Sequence, residues 1–307
     1  MSMIAASMSL ALTVVGALPQ DASRQPPVAP AVQATELEDV VVNGRSLSEA
    51  VDSFVNTVVA PPQGRGPARW DRKVCVGVVN LRRDVAQVMI DRVSQVALEI
   101  GLEIGDPGCS PNILVMATDD GTALATALVQ SRPRVFRPFY AGAARSALVL
   151  ERFQTTDRPV RWWHVSIPFD SDTGQVAVRV PGYLPPLINV LGGRLRTEIQ
   201  NDLRRAFIIV DVERSTGVTF QQLSDYVAMV AFAQIDPDAD TSGFPTVLNL
   251  FDGAATAELT DWDLSYLKAL YDAELNQANP NAQLDAVGGI MVRDRQRAEP
   301  EEQRQGP

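Results

Sequence analysis

His164 is the sole histidine among 307 residues, and Cys75 and Cys109 are the sole cysteines. Imidazole is the commonest metal ligand and the usual general base near neutral pH. One histidine cannot assemble a His₃ or two-His zinc site, nor the H-E-x-x-H helix of a metalloprotease. His164 sits in Trp162-Trp163-His164-Val165-Ser166, an alternating strand pattern in which a satisfied or surface histidine is expected rather than a catalytic one. No G-x-S-x-G elbow, P-loop or G-x-G-x-x-G is present, so the sequence offers no nucleophile or phosphate motif around it. The expectation is no catalytic residue, no metal ligand and no cofactor.

Chemistry would then fall to carboxylates. Asp119 and Asp120 follow an apolar strand, and strand ends are where α/β sites gather. The same pair equally suits a helix start, where negative charge meets the positive end of the dipole. Asp225 and Glu213 form a second possible pair, although Asp225 also lies near a helix start. Asp236, Asp238 and Asp240 alternate like the first donors of an EF-hand calcium loop. Thr241 replaces the glycine and Val247 the glutamate that such a loop needs, so a solvated turn competes with a calcium site.

These residues need elements to hold them. Leu47, Val51, Phe54 and Val58 recur at helical spacing over 46–58. Val74–Val79 reads as a buried strand, Val85–Ile100 as a helix, Ile113–Met116 as a second strand and Gly121–Gln130 as a helix. This strand–helix alternation predicts a βαβ-like unit. Further on, 139–151 reads as a helix, and Val160–Phe169 and 175–180 as strands joined through an Asp-Ser-Asp-Thr-Gly turn. Ala206–Val212 is an apolar strand. A helix over Phe220–Ile235 is capped by Thr219 or Ser224. A short run follows at Val247–Phe251, then a helix over Asp261–Asp272 with Thr260 as N-cap and Asp263 as its box partner. The polar tail over 276–307 is expected to be disordered.

The N-terminus reads as an export signal over 1–18: an apolar core from Ile4 to Leu18 with Val15-Gly16-Ala17 as a small-residue cleavage site. No Lys or Arg precedes it, and a buried helix is the other reading. The core is too short to span a bilayer, and no other segment is long and apolar enough, so no membrane span is expected once the signal is removed. An exported context suits a Cys75–Cys109 disulfide, which in the chain-entropy account stabilises by about 3.8 kcal/mol. The net charge of −10 argues against a nucleic-acid partner, because phosphate contacts require a basic surface.

Residues 19–45 read as a flexible Pro/Ala/Gln-rich linker that ends in Glu36-Leu37-Glu38-Asp39-Val40-Val41-Val42-Asn43-Gly44-Arg45. This segment resembles the TonB box of outer-membrane receptors. The resemblance implies strand addition of Val40, Val41 and Val42 to an envelope protein; the plain alternative is a first strand ending in an Asn-Gly turn. Trp70 with Cys75, Gly108-Cys109-Ser110-Pro111-Asn112 and Gln222-Leu223-Ser224-Asp225-Tyr226-Val227-Ala228-Met229 resemble a family of exported alphaproteobacterial proteins, with no activity attached. Finally, Asp263-x-x-x-Leu267-x-x-Leu270-Tyr271 and the segment from Phe207 onward resemble the end of a metzincin-type metallopeptidase domain. The histidine slots of that domain fall on Asp225, Met229 and Ile235, and its glutamate slot on Tyr226.

The expected fold is therefore α+β, or α/β, with a mixed sheet. An α/β unit with the disulfide spans 46–150, and a metzincin-like region without a zinc site spans 151–275. The expected function is a non-catalytic binding or accessory role in the periplasm, with the zinc-less domain presenting a surface. The competing expectation is a carboxylate-dependent hydrolase.

Overall fold

The computed structural model describes residues 41–42, 45–137, 145–177, 195–253 and 258–305. The signal segment 1–18, most of the linker, and Val40 lie outside them. Strands β1 (Val41–Val42) and β2 (Arg45–Ser46) pair antiparallel around the Asn-Gly dipeptide. Helix α1 (Leu47–Val58) starts on a capping box: Ser46 Oγ accepts the Glu49 amide at 3.3 Å, and Glu49 Oε2 accepts the Ser46 amide at 3.1 Å. That arrangement satisfies two amides that the first helical turn leaves unpaired.

The expected βαβ unit is present. Strand β3 (Val76–Val79), helix α2 (Arg83–Glu99) and strand β4 (Ile113–Thr118) follow one another, and β3 runs parallel to β4 with Val76 opposite Ile113. Cys75 and Cys109 are joined, closing a loop that contains α2. Helices α3 (Gly121–Ser131), α4 (Pro133–Phe136) and α5 (Ala147–Thr155) come next. The 139–151 helix thus begins only at Ala147, and 138–144 lie outside the described residues. Strand β5 (Val160–Asp170) then pairs antiparallel with β6 (Ile199–Asp211).

The four-stranded sheet runs β3-β4-β6-β5, with β4 and β6 parallel. Among the described residues the chain is α+β, with eight α-helices around this mixed sheet. The segments 46–150 and 151–275 do not form separate sheets, because β3 and β4 come from one and β5 and β6 from the other.

Side-chain alternation sorts the sheet into two faces. Ile113, Val115, Trp162, Ile208 and Val210 join the larger core with α1, α2, α6 (Phe220–Phe232), α7 (Asp261–Asp272) and α8 (Pro280–Gln305). Met116, Trp163, Val165 and Ile209 meet α3, α4 and α5 on the other face.

Two expectations need correction, and a run left without a form takes one. Strand β6 starts at Ile199 rather than at Ala206, because its polar half pairs across β5 and engages arginines: Arg204 Nε lies 2.9 Å from Asp202, and Arg65 Nε donates to Asn201 at 2.7 Å. The run at 247–251 is a 3₁₀ turn over Val247–Asn249, held by the Asp263 carboxylate, which accepts Val247 N at 2.8 Å. The tail after Pro280, expected to be disordered, forms α8, and its Val287 and Met291 are buried against the core. Its polar majority hides a narrow apolar stripe.

Candidate functional site

The residues that sequence reasoning singled out go to structural work. Asp120 caps α3 by accepting Ala123 N at 2.8 Å, while Asp119 is exposed at the end of β4. The Asp211 carboxylate at the end of β6 accepts Gly121 N at 3.1 Å, so a second acid serves the same helix start. A side chain at Gly121 would meet Arg161 at 3.1 Å and Asp211 at 3.4 Å, which explains a glycine there.

Asp225 is fully buried and bonded to Arg92, not to Glu213, which is exposed on the turn after β6. Tyr226, Met229 and Ile235, the other positions that the metzincin resemblance singles out, are also buried. Helix α6 therefore faces a filled core. His164 Nε2 lies 2.7 Å from Val230 O, and a carbonyl can only accept, so Nε2 carries the proton. Burial brings the imidazole down to about 4, against the Val230 bond and with help from Arg145.

In the acidic loop, Asp236 accepts Asp238 N at 3.1 Å, Asp240 accepts Ser242 Oγ at 2.7 Å, and Asp238 turns to two arginines. The Asp236 and Asp240 bonds are turn-forming contacts. Among the described residues no group of three or more His, Cys, Asp or Glu side chains is placed to hold a metal ion.

A different set of residues converges. Arg161, Trp162 and Trp163 are consecutive on β5, and all three line one cavity of about 140 Å³. Consecutive strand side chains point to opposite faces, so the cavity lies along the edge of β5, one of the two outer strands of the sheet. Helix α5 supplies Val149, Arg152 and Phe153, whose spacing puts them on one helical face; Arg145 precedes its N-cap, Ser146. The loop after α6 closes the other side with Asp236, Pro237 and Asp238. A second cavity of about 140 Å³ adjoins it, sharing Arg158, Trp162, Asp236 and Pro237 and reaching Tyr226, Thr241 and Phe251.

Most of this guanidinium charge is already engaged. Arg152 Nη1 donates to Asp238 at 3.0 Å, and Arg158 donates to Asp238 and to Pro237 O. Burial pushes the Asp238 carboxyl up, but its bonds and charge contact with Arg158 and Arg152 bring it below its ordinary value. Arg161 donates to the last carbonyls of α5, Phe153 O at 3.1 Å and Gln154 O at 3.0 Å, and to Thr122 Oγ1 at 3.1 Å. A cation there complements the negative end of the helix. The two indoles are pinned as well: Trp162 Nε1 donates to Ile235 O at 3.0 Å and Trp163 Nε1 to Phe136 O at 3.0 Å.

Arg145 differs. Its Cζ stands 5.9 Å from the Trp163 ring centre, within cation–π range. Burial lowers its pKa, while Asp236 and Asp238 hold it charged. Among the described residues no carboxylate pairs with it, and no hydrogen-bond acceptor meets it.

Sequence reasoning missed this site. The signal was there in Arg145, Arg152, Arg158 and Arg161 flanking the Trp-Trp pair, but four arginines over seventeen residues read as ordinary surface charge until β5 is known to be an edge. Comparison of the chain with protein-family models, with curated proteins and with solved structures returns no match.

Proposed function

We propose that this chain is an exported, periplasmic protein with a binding or accessory role and no catalytic step, and that the arginine-lined cavity at the β5 edge is where it binds. The observation that carries this reading is Arg145. A half-buried cation without an acceptor is costly, and a ligand that supplies the acceptor removes that cost. The rest of the site is rigid, since each tryptophan and each of the other three arginines already has its partner. Such pre-ordering reduces the entropy lost when a ligand binds.

The likeness of 207–271 to a metzincin domain fits as a zinc-less scaffold. In that reading α6 serves as core, and recognition has moved to the sheet edge. The β1 strand belongs to the same proposal as a second contact with an envelope partner, because a two-stranded ribbon pairs one edge of β1 with β2 and can add a strand along the other.

The test is to express the chain with its leader in a bacterial host, fractionate the cells and examine the periplasmic protein by native mass spectrometry. A broad peptide and glycan hydrolysis assay accompanies it. The expected result is periplasmic recovery, co-purifying small molecules that Arg145→Ala loses, and no turnover. Hydrolysis proportional to enzyme and abolished by Asp120→Asn would establish the carboxylate-dependent alternative instead.

A further inference from the structure

Resting on that binding reading, the charge pattern of the cavity narrows the ligand. Four guanidinium groups and the two carboxylates of Asp236 and Asp238 surround it. Arg152 and Arg158 share the single carboxylate of Asp238. Arg161 directs its two Nη atoms at Thr122 and at the end of α5. One guanidinium, that of Arg145, is left to meet a ligand. A cationic ligand would face Arg145 itself and would find the Asp238 carboxylate already engaged. The surplus of guanidinium over carboxylate favours an anion, and the one guanidinium still open among the described residues takes one carboxylate.

A planar carboxylate suits the guanidinium fork better than it suits a point charge. The Trp163 ring stands beside that fork, its centre 5.9 Å from Arg145 Cζ. The remaining walls are apolar: Val149, Phe153 and the two indoles. A cavity of about 140 Å³ is smaller than the pockets that take drug-sized ligands, so the body between these walls is about one ring in size.

We infer that the cavity binds a small monocarboxylate with an apolar, ring-sized body, the carboxylate on Arg145 and the body among Val149, Phe153, Trp162 and Trp163.

Benzoate is a direct probe, with inorganic phosphate and benzylamine as comparison ligands. Trp162 and Trp163 report occupancy through intrinsic fluorescence, and calorimetry gives the affinity. The expected result is saturable benzoate binding, at least tenfold tighter than phosphate, with benzylamine giving no saturation. Arg145→Ala weakens benzoate at least tenfold. Arg145→Lys, which keeps the charge and loses the fork, weakens it severalfold. Val149→Phe fills the cavity while leaving the Arg145 charge in place and abolishes binding, with circular dichroism showing each variant folded.

Non-saturable benzoate binding, or binding that survives both Arg145→Ala and Val149→Phe in folded protein, overturns the inference. Phosphate bound through Arg145 in preference to benzoate overturns the ligand class alone. The same small molecules retained by wild type and Arg145→Ala in the native mass spectra are the separate result that removes the underlying binding reading.

Discussion

Arg92 on α2 reaches the buried carboxylate of Asp225 on α6, and the other oxygen of Asp225 accepts the Leu259 amide at 3.1 Å. One side chain therefore ties two helices and the segment leading to α7. Asp225 thus works as a tie within the core. Breaking a buried pair by removing one partner costs about 3–5 kcal/mol, because the other charge is left uncompensated. Asp225 is fully buried, while Arg92 retains some exposure. Arg92→Ala therefore strands a carboxylate in the core and is expected to destabilise strongly in urea unfolding. The double substitution Arg92→Met, Asp225→Leu should recover much of that loss. A double variant no more stable than Arg92→Ala would show that the pair has no such role.

The disulfide stabilises by restricting the unfolded chain. Cys75 and Cys109 are 34 residues apart, and the chain-entropy account gives about 3.8 kcal/mol for a loop of this length. Cys75→Ala with Cys109→Ala should lower the denaturation midpoint correspondingly. The wild-type protein should titrate no free thiol until reduced. Free thiols in the protein recovered from the periplasm would contradict the bond.

Helix α8 is integral to the core. Val287 and Met291 are buried, and a fully buried apolar side chain contributes about 1.5–3 kcal/mol. Removing 280–307 should lower Tm by roughly 5 °C or more in a chain of this size. Gln296→Ala, at an exposed position, should leave it unchanged. An unaltered melt after the truncation would mean that α8 folds without supporting α1 and α7.

The elements legible in advance were those whose apolar residues repeat cleanly: α1 from Leu47, Val51, Phe54 and Val58, the βαβ unit, and α7 with its Thr260 cap and Asp263 partner. Asp263 shows what local reading leaves out. Besides closing its capping box, it accepts Thr246 Oγ1 and Val247 N from sixteen or seventeen residues away, bonds that only the tertiary fold supplies. The polar start of β6 and the stripe of α8 were hidden for the same reason, since their partners are β5, the remote Arg65 and a composite core. The arginine site was hidden because what gathers it is the place of β5 at the sheet edge. Strand order is not written in any one segment.

Two buried groups should give opposite pH dependences within one window. Burial lowers His164 from its usual 6.5 to about 4. Between those values the unfolded chain holds the extra proton, so the stability contributed by the neutral imidazole is complete above 6.5 and is lost as pH falls toward 4. A shift of this size is worth on the order of 3 kcal/mol. Asp202 behaves in reverse. Burial, helped by the Asp71 charge, raises it from 3.8 to about 6, against the Asp71 amide bond, the Arg72 charge and the Arg204 guanidinium 2.9 Å away. Between 3.8 and 6 the folded chain holds the extra proton, so the stability contributed by protonated Asp202 is complete below 3.8 and is lost as pH rises through 6. In the wild type the two slopes oppose each other between pH 4 and 6. His164→Gln should therefore leave a protein that loses stability, relative to wild type, as pH rises through that range. Asp202→Asn should leave one that gains stability, relative to wild type, over the same range. Urea midpoints measured at pH 4.5, 5.5 and 7 separate the two. Parallel curves for wild type and His164→Gln would mean that the imidazole is not held neutral by its burial against α6.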